Sequence, residues 1–329
     1  MNLICFDLEG PLTPQDNAYE LMKLFPRGGK IFEVISRYDD LLALEGRPDY
    51  EPGDTLALIT PFLAYHGIKE EQITAMGQKA ALTQGATELV SKLKSRQWDI
   101  FCISTSYKQY ASPITQRLGI PGENIACTSF PLTQIRQLLS EDEFALFEQT
   151  EHEIVNLNPF TDDTKIREYL DCFYWQKLPQ TSSGRIISQV KPVGGRRKVE
   201  ALENFSTRMG KPLSLWTVVG DSITDFKMLR AVNKAGGLAI AFNANEYVLP
   251  YSTLGLASVS LYDLWVVLEA WEKGGRHAVE RVAKEKEEAG GTENREWFHW
   301  LAGAEDLTHC LEIHKRIRSL VREEAAKLG

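Results

Sequence analysis

Hydrophobic and polar positions along this chain fall into blocks that alternate between strand and helix. Leu3-Ile-Cys-Phe6 is an uninterrupted apolar run closed by Asp7-Leu-Glu-Gly-Pro11. A short run of this kind, bounded by Gly-Pro, predicts a strand buried on both faces. Residues 98–103 form a second run that ends in Ser104-Thr-Ser106. Leu215-Trp-Thr-Val-Val219 forms a third, running into Gly220-Asp-Ser-Ile-Thr-Asp225, and residues 238–242 form a fourth. Between them the apolar residues recur at helical spacing, as in Leu89, Val90 and Leu93, or Val199, Leu202 and Phe205. A helix over 108–118 stops at Gly119 with Pro121 beyond. This alternation predicts an α/β fold built on a parallel sheet.

Two stretches break the alternation. Residues 16–82 read as helices, with stripes at Tyr19, Leu21 and Met22, over 31–44, over 56–66 and over 70–82, and a Gly- and Pro-containing loop at 46–53. Inserted directly after the first strand, this unit would overhang that strand's end. Residues 131–179 are less regular, with helical pieces at 134–147 and 162–175, and 182–190 reads as a further strand. From Leu261 onward the pattern is helical only. Its last stripe, Leu307, Leu311, His314, Ile317 and Val321, suits core packing, with a homo-oligomer contact as the alternative. The expected division is a core of 1–15, 83–130 and 180–262, a helical cap at 16–82, a helical insertion at 131–179 and a helical extension at 263–329.

Open α/β sheets bind ligands beyond the carboxyl ends of their strands, and several polar residues cluster at such ends. Strand pleating puts Asp7 and Glu9 on one face. Ser104 follows the second run, Lys198 opens a helix, and Asp221 and Asp225 follow the third run. Each has an ordinary explanation as a turn or helix cap. Together they supply the parts of a phosphoryl transfer. A carboxylate can attack phosphorus, a second acid can shuttle the proton, and carboxylates can hold a hard divalent ion, Mg²⁺. A hydroxyl and an ammonium can hold the phosphoryl oxygens.

Composition narrows the partners. A net charge of −8 and a pI near 5.4 argue against nucleic acid as the main partner, since phosphate binding needs a basic face and the dense basic runs are only Arg196-Arg197-Lys198 and Lys315-Arg316-Ile317-Arg318. The five cysteines are odd in number and show no CxxC pairing, so free thiols and a reducing cytoplasm are expected. No apolar run reaches bilayer-spanning length, and no basic segment precedes a signal-length apolar run, so no membrane association is expected. The six histidines show no ligand spacing and read as surface or packing residues.

The motifs Asp7-Leu-Glu-Gly10, Ile103-Ser104-Thr105, Lys198-Val-Glu-Ala-Leu202 and Gly220-Asp-Ser-Ile-Thr-Asp225 resemble those of the haloacid dehalogenase-like (HAD) phosphohydrolases, in particular the phosphoserine phosphatase branch. The following Gly237-Leu-Ala-Ile-Ala-Phe-Asn243 resembles the next strand of that branch, and the likeness covers about 1–130 and 185–262. The resemblance implies a doubly wound sheet with a mobile cap. It implies Asp7 as nucleophile and Glu9 as general acid/base, with the Glu9 main-chain carbonyl on the metal. Ser104 and Lys198 would hold the phosphoryl group, and Gly10 and Thr105 would be substrate contacts. Asp16 would meet a substrate amino group, and Asp221 and Asp225 would hold Mg²⁺. The family usually has Asp where Glu9 stands, and its pattern accounts for neither the long 104–198 segment nor the tail. The expected substrate is a small phosphorylated metabolite of phosphoserine type. Phosphotransfer to an alcohol, or a binding module with little catalysis, are the alternatives.

Overall fold

The structure, a computed structural model, describes residues 2–322. Among the described residues seven strands form one sheet: β1 (Leu3–Phe6), β2 (Asp99–Tyr107), β3 (Ile125–Thr128), β4 (Trp216–Gly220), β5 (Leu238–Phe242), β6 (Leu254–Ala257) and β7 (Trp297–Trp300). Their order is β3-β2-β1-β4-β5-β6-β7, and every pairing is parallel except β6 with β7. The apolar strand at the N-terminus is thus central. Phe6 lies level with Cys102 of β2 and Val219 of β4, so β1 and β4 end within a residue of each other while β2 runs on beside them to Tyr107.

Four helices follow β1: α1 (Asn17–Met22), α2 (Gly28–Leu44), α3 (Thr55–Tyr65) and α4 (Glu70–Lys79). Next come α5 (Ala86–Ser95) and α6 (Lys108–Arg117), on either side of β2. After β3 come α7 (Leu132–Gln137), α8 (Glu141–Ile154), α9 (Asp163–Cys172), α10 (Ser182–Ile187) and α11 (Arg196–Met209). The chain then adds α12 (Phe226–Ala235), α13 (Trp265–Ala289, broken at Gly274–Gly275) and α14 (Thr308–Arg322). Pleating divides the core in two. Leu3 and Cys5 pack with Phe101, Ile103, Leu202, Met228 and Leu229 on the α11–α12 side. Ile4 and Phe6 pack with Leu89, Leu93, Val267 and Leu268 on the α5–α13 side. Both faces of the sheet are therefore covered, as a doubly wound parallel sheet requires.

Three sequence expectations are corrected. Residues 182–190 are not a strand: Ser182–Ile187 is helix α10, capped by Thr181 Oγ1 accepting the Gly184 N–H at 2.9 Å. The tail is not helical throughout, because Trp297–Trp300 adds the antiparallel edge strand β7 to the core sheet. Trp297 and Phe298 are adjacent and face opposite sides of the sheet, so these four residues show no period-2 alternation that would mark them as a strand. Finally, although the histidines show no ligand spacing in the sequence, His299 and His314 come together with Cys310, their ligand atoms within 4.8 Å of one another.

The 131–179 segment packs on the cap. Tyr38 donates to Asp171 (2.5 Å), Tyr174 donates to the Leu58 carbonyl (2.6 Å), and Arg37 pairs with Asp163 (2.6 Å). The apolar stripe of α14 is used within the same chain, where Ile313 and Ile317 pack on Ala257 of β6. No described helix is long and apolar enough to cross a membrane.

Candidate active site

Asp7 follows β1 directly, its amide donating to the Val219 carbonyl (2.8 Å) and its Oδ1 accepting the Leu8 N–H (2.7 Å). Lys198, in the first turn of α11, is fully buried and reaches Asp7 Oδ1 at 2.9 Å and Asp225 Oδ1 at 2.6 Å. The other oxygen of Asp225 accepts the N–H groups of Asp221 (3.0 Å) and Ser222 (3.1 Å), which shapes the turn after β4. Burial, and then the charge of Asp225, push the Asp7 carboxyl well above its usual range, with Lys198 opposing. Burial alone would depress the Lys198 ammonium. The carboxylates of Asp225 and Asp7 more than offset this, so it stays charged.

Glu9 accepts the Asn17 N–H at 2.6 Å, at the start of α1, where Asp16 caps the helix by accepting the Tyr19 N–H at 2.9 Å. Burial and the neighbouring Asp16 push the Glu9 carboxyl up to about 7, against the Asn17 N–H and the Arg322 charge. A carboxyl near 7 can both give and take a proton at neutral pH. Asp7, Glu9, Asp16, Thr105 and Asp221 line one cavity, roofed by Phe32, Asp39 and Gly53 of the cap.

The structure brings together Asp7, Glu9, Asp16, Lys198, Asp221 and Asp225. Ser104 and Gly10 stand differently. Ser104 is fully buried, its Oγ accepting the Ser106 N–H at 3.0 Å, and its neighbour Thr105 lines the cavity instead. Gly10 has φ +91°, and a Cβ there would lie 2.3 Å from Asp221 Cγ, so its place is to let the backbone pass the Asp221 carboxylate.

Two residues that the motifs do not contain complete the site. Arg318 and Arg322 of α14 both pair with Asp221 Oδ2, the second at 2.8 Å. Their signal in the sequence is a polar line, His314, Arg318 and Arg322 at i, i+4 and i+8, beside the apolar stripe of α14.

Asp7, Asp221 and Asp225 each offer a carboxylate oxygen within 4.8 Å of the others, a hard oxygen donor set that fits Mg²⁺. Asp225, engaged on both oxygens, suits an orienting role. The His299–Cys310–His314 group does not fit a metal in the same way. His314 Nδ1 accepts the Ala244 N–H (2.9 Å), which puts the imidazole proton on Nε2, the nitrogen a metal would need.

No protein-family model matches the chain. It is 28% identical over 142 residues to a chloroplastic phosphoserine phosphatase of Arabidopsis thaliana, covering 43% of this chain and 45% of that protein. It is 28% identical over 126 residues to a phosphoserine phosphatase of Homo sapiens, covering 37% of this chain and 51% of the relative. The chain thus spans about half the length of these curated relatives. Among solved structures, a gene product of Archaeoglobus fulgidus superposes with TM-score 0.84 at 29% identity, over 100% of this chain and 99% of that one. A structure described as a phospho-aspartyl intermediate analogue of phosphoserine phosphatase superposes with TM-score 0.50 at 18% identity, over 80% of this chain and 97% of the other, a likeness of fold.

Proposed function

Because the chain is phosphoserine phosphatase-like in sequence and haloacid dehalogenase-like in fold, we propose that it hydrolyses a small phosphomonoester through an aspartyl-phosphate on Asp7. The observation that carries this reading is the placement of Asp7. It is a buried carboxylate at the end of the central strand, held by Lys198 and facing a cavity beside Asp221. Mg²⁺, held by Asp7 and Asp221, would neutralise phosphoryl charge and polarise the phosphorus–oxygen bonds.

Asp7 attacks phosphorus in line as the bond to the leaving oxygen breaks, and Glu9 gives that oxygen its proton. Glu9, now ionised, takes a proton from water, which attacks the phosphoryl group and releases phosphate and free Asp7. Lys198 favours the ionised form of Asp7 against its burial and offsets charge as the transition state forms. Thr105 and Lys198 hold the phosphoryl oxygens, Asp16 faces the rest of the substrate, and the cap excludes water. A phosphorylated amino or hydroxy acid suits the cavity best, and the free thiols suit a cytoplasmic setting.

The test is hydrolysis of a phosphometabolite panel that includes phosphoserine and p-nitrophenyl phosphate, with Mg²⁺, with chelator and with Asp7→Asn. Metal-dependent turnover that Asp7→Asn abolishes is expected. No turnover of any compound by the unaltered protein with Mg²⁺ overturns the reading.

A further inference from the structure

Helix α14 is fastened along its polar line over the carboxyl end of the sheet. His314 Nδ1 accepts the Ala244 amide, and Gly255 leaves room for the ring, since a Cβ there would lie 2.9 Å from His314 Nε2. One turn on, Arg318 Nη1 donates to the Asp221 carboxylate and to the Asn243 carbonyl at 3.3 Å. A further turn on, Arg322 Nη1 reaches the same carboxylate at 2.8 Å, and Nε donates to the Pro14 carbonyl at 3.2 Å. Arg318 and Arg322 are only 3% and 7% exposed, and both line the cavity of Asp7 and Glu9.

A guanidinium offers five N–H donors, and the acceptors present use only part of this pair. Arg318 Nη2 is buried with no partner. Arg322 Nη2 makes no hydrogen bond among the described residues. A single arginine would suffice to pair Asp221, and leaving the buried Arg318 Nη2 unpaired is unfavourable. The arrangement makes sense when an oxyanion enters the cavity.

We propose that Arg318 and Arg322 are substrate-binding residues, their free N–H groups taking an oxyanion of the substrate. The proposal rests on the phosphatase reading of the same cavity and adds a contact from the C-terminal helix to it. The oxyanion belongs either to the phosphoryl group or to a second acidic group of the same molecule. The position of the pair favours the second source. Arg322 is held at the Pro14 carbonyl, two residues before Asp16, and beyond Asp221 its charge bears on Asp16 and Glu9 before Asp7; the phosphatase reading sets Asp16 and Glu9 against the leaving group.

Calorimetry on the metal-free full chain tests this without turnover, using inorganic phosphate, phenyl phosphate and phosphoserine as probes. Arg318→Gln and Arg322→Gln are each expected to weaken binding about 10–100-fold, the worth of a charge-assisted hydrogen bond. Loss for phosphoserine alone identifies a second acidic group, and equal loss for all three identifies the phosphoryl group. Arg318→Lys and Arg322→Lys keep the charge that Asp221 needs for folding and lose the forked donor, so each is expected to weaken binding in the same pattern. Unchanged affinities, within twofold for all three probes in folded variants, overturn the proposal, as does an unaltered protein that binds none of them. Tighter Mg²⁺ binding in the Gln variants with unchanged anion affinity also overturns it, because the arginines would then be charge partners of Asp221 only. Should the unaltered protein hydrolyse nothing yet lose phosphoserine affinity on substitution, the arginine assignment stands and the phosphatase reading falls.

Discussion

Lys198 sits fully buried between the carboxylates of Asp7 and Asp225, at 2.9 and 2.6 Å. An ammonium in that position holds together two acids that would otherwise repel each other in a medium of low polarity. Lys198→Met fills the same volume but leaves both acids uncompensated. It is expected to destabilise the protein by about 3–5 kcal/mol, the cost of breaking a buried ion pair from one side. Denaturant unfolding at pH 7.5 measures it. A loss under about 1 kcal/mol would show that the carboxylates are already neutral. The same pleating that places Asp7 opposite Lys198 separates Ser104 from Thr105. Ile103 shares the core face of Cys5, and Ser104 turns to the other side with Cys102. Thr105, two residues after Ile103, returns to the Asp7 side and lines the cavity.

Helix α14 illustrates how one element can serve the core and the site together. Ile313 and Ile317 pack on β6, while His314, Arg318 and Arg322 run toward Asp221. His314 is buried and neutral, and burial, then the nearby His299, press its pKa from 6.5 down to about 3. The unfolded chain therefore binds a proton below about pH 6.5 that the folded chain refuses until about pH 3. Stability contributed here is complete above pH 6.5 and falls as pH drops through that window. At pH 4.5 the loss from this one residue is about 3 kcal/mol. His314→Gln keeps an acceptor for the Ala244 amide and removes the titration. Urea unfolding of both proteins at pH 7.5 and 4.5 is expected to show a smaller acid loss in the variant. Parallel losses would mean that His314 is protonated in the folded state.

Across the whole molecule the decisive contact is that of the cap with the core. Asp54 of the cap pairs with Arg197 of α11 at 2.5 Å, and Glu51 accepts from the Arg196 amide and from Lys227 at 2.8 and 2.7 Å. These mostly buried pairs hold the 46–54 loop, with Gly53 against Thr105, over the cavity. Asp54→Ala leaves the Arg197 guanidinium only the Pro192 and Asp49 carbonyls and no counter-charge there, and is expected to speed amide exchange over residues 51–56 about tenfold, equivalent to about 1.4 kcal/mol of closure. Exchange that stays at the parent rate would place the hold on Glu51 instead.

What the chain determines by itself is local. Apolar runs of four to six residues name the β1, β2, β4 and β5 strands, and the acids that follow them lie at strand ends whatever packs around them. Helical stripes over 16–82 likewise predict a cap, because its hydrophobic period is read within a few turns. The edge strands were beyond this reach: β7 exists only because β6 offers it a partner, and its four residues carry no pattern that a helix-rich tail would reveal. Residues 131–179 pack on the cap through Tyr38, Arg37 and the Leu58 carbonyl, contacts more than a hundred residues apart in sequence. Arg318 and Arg322 reach Asp221 across a comparable separation. Local spacing states which face a side chain takes on its own element, and only tertiary packing decides what that face meets.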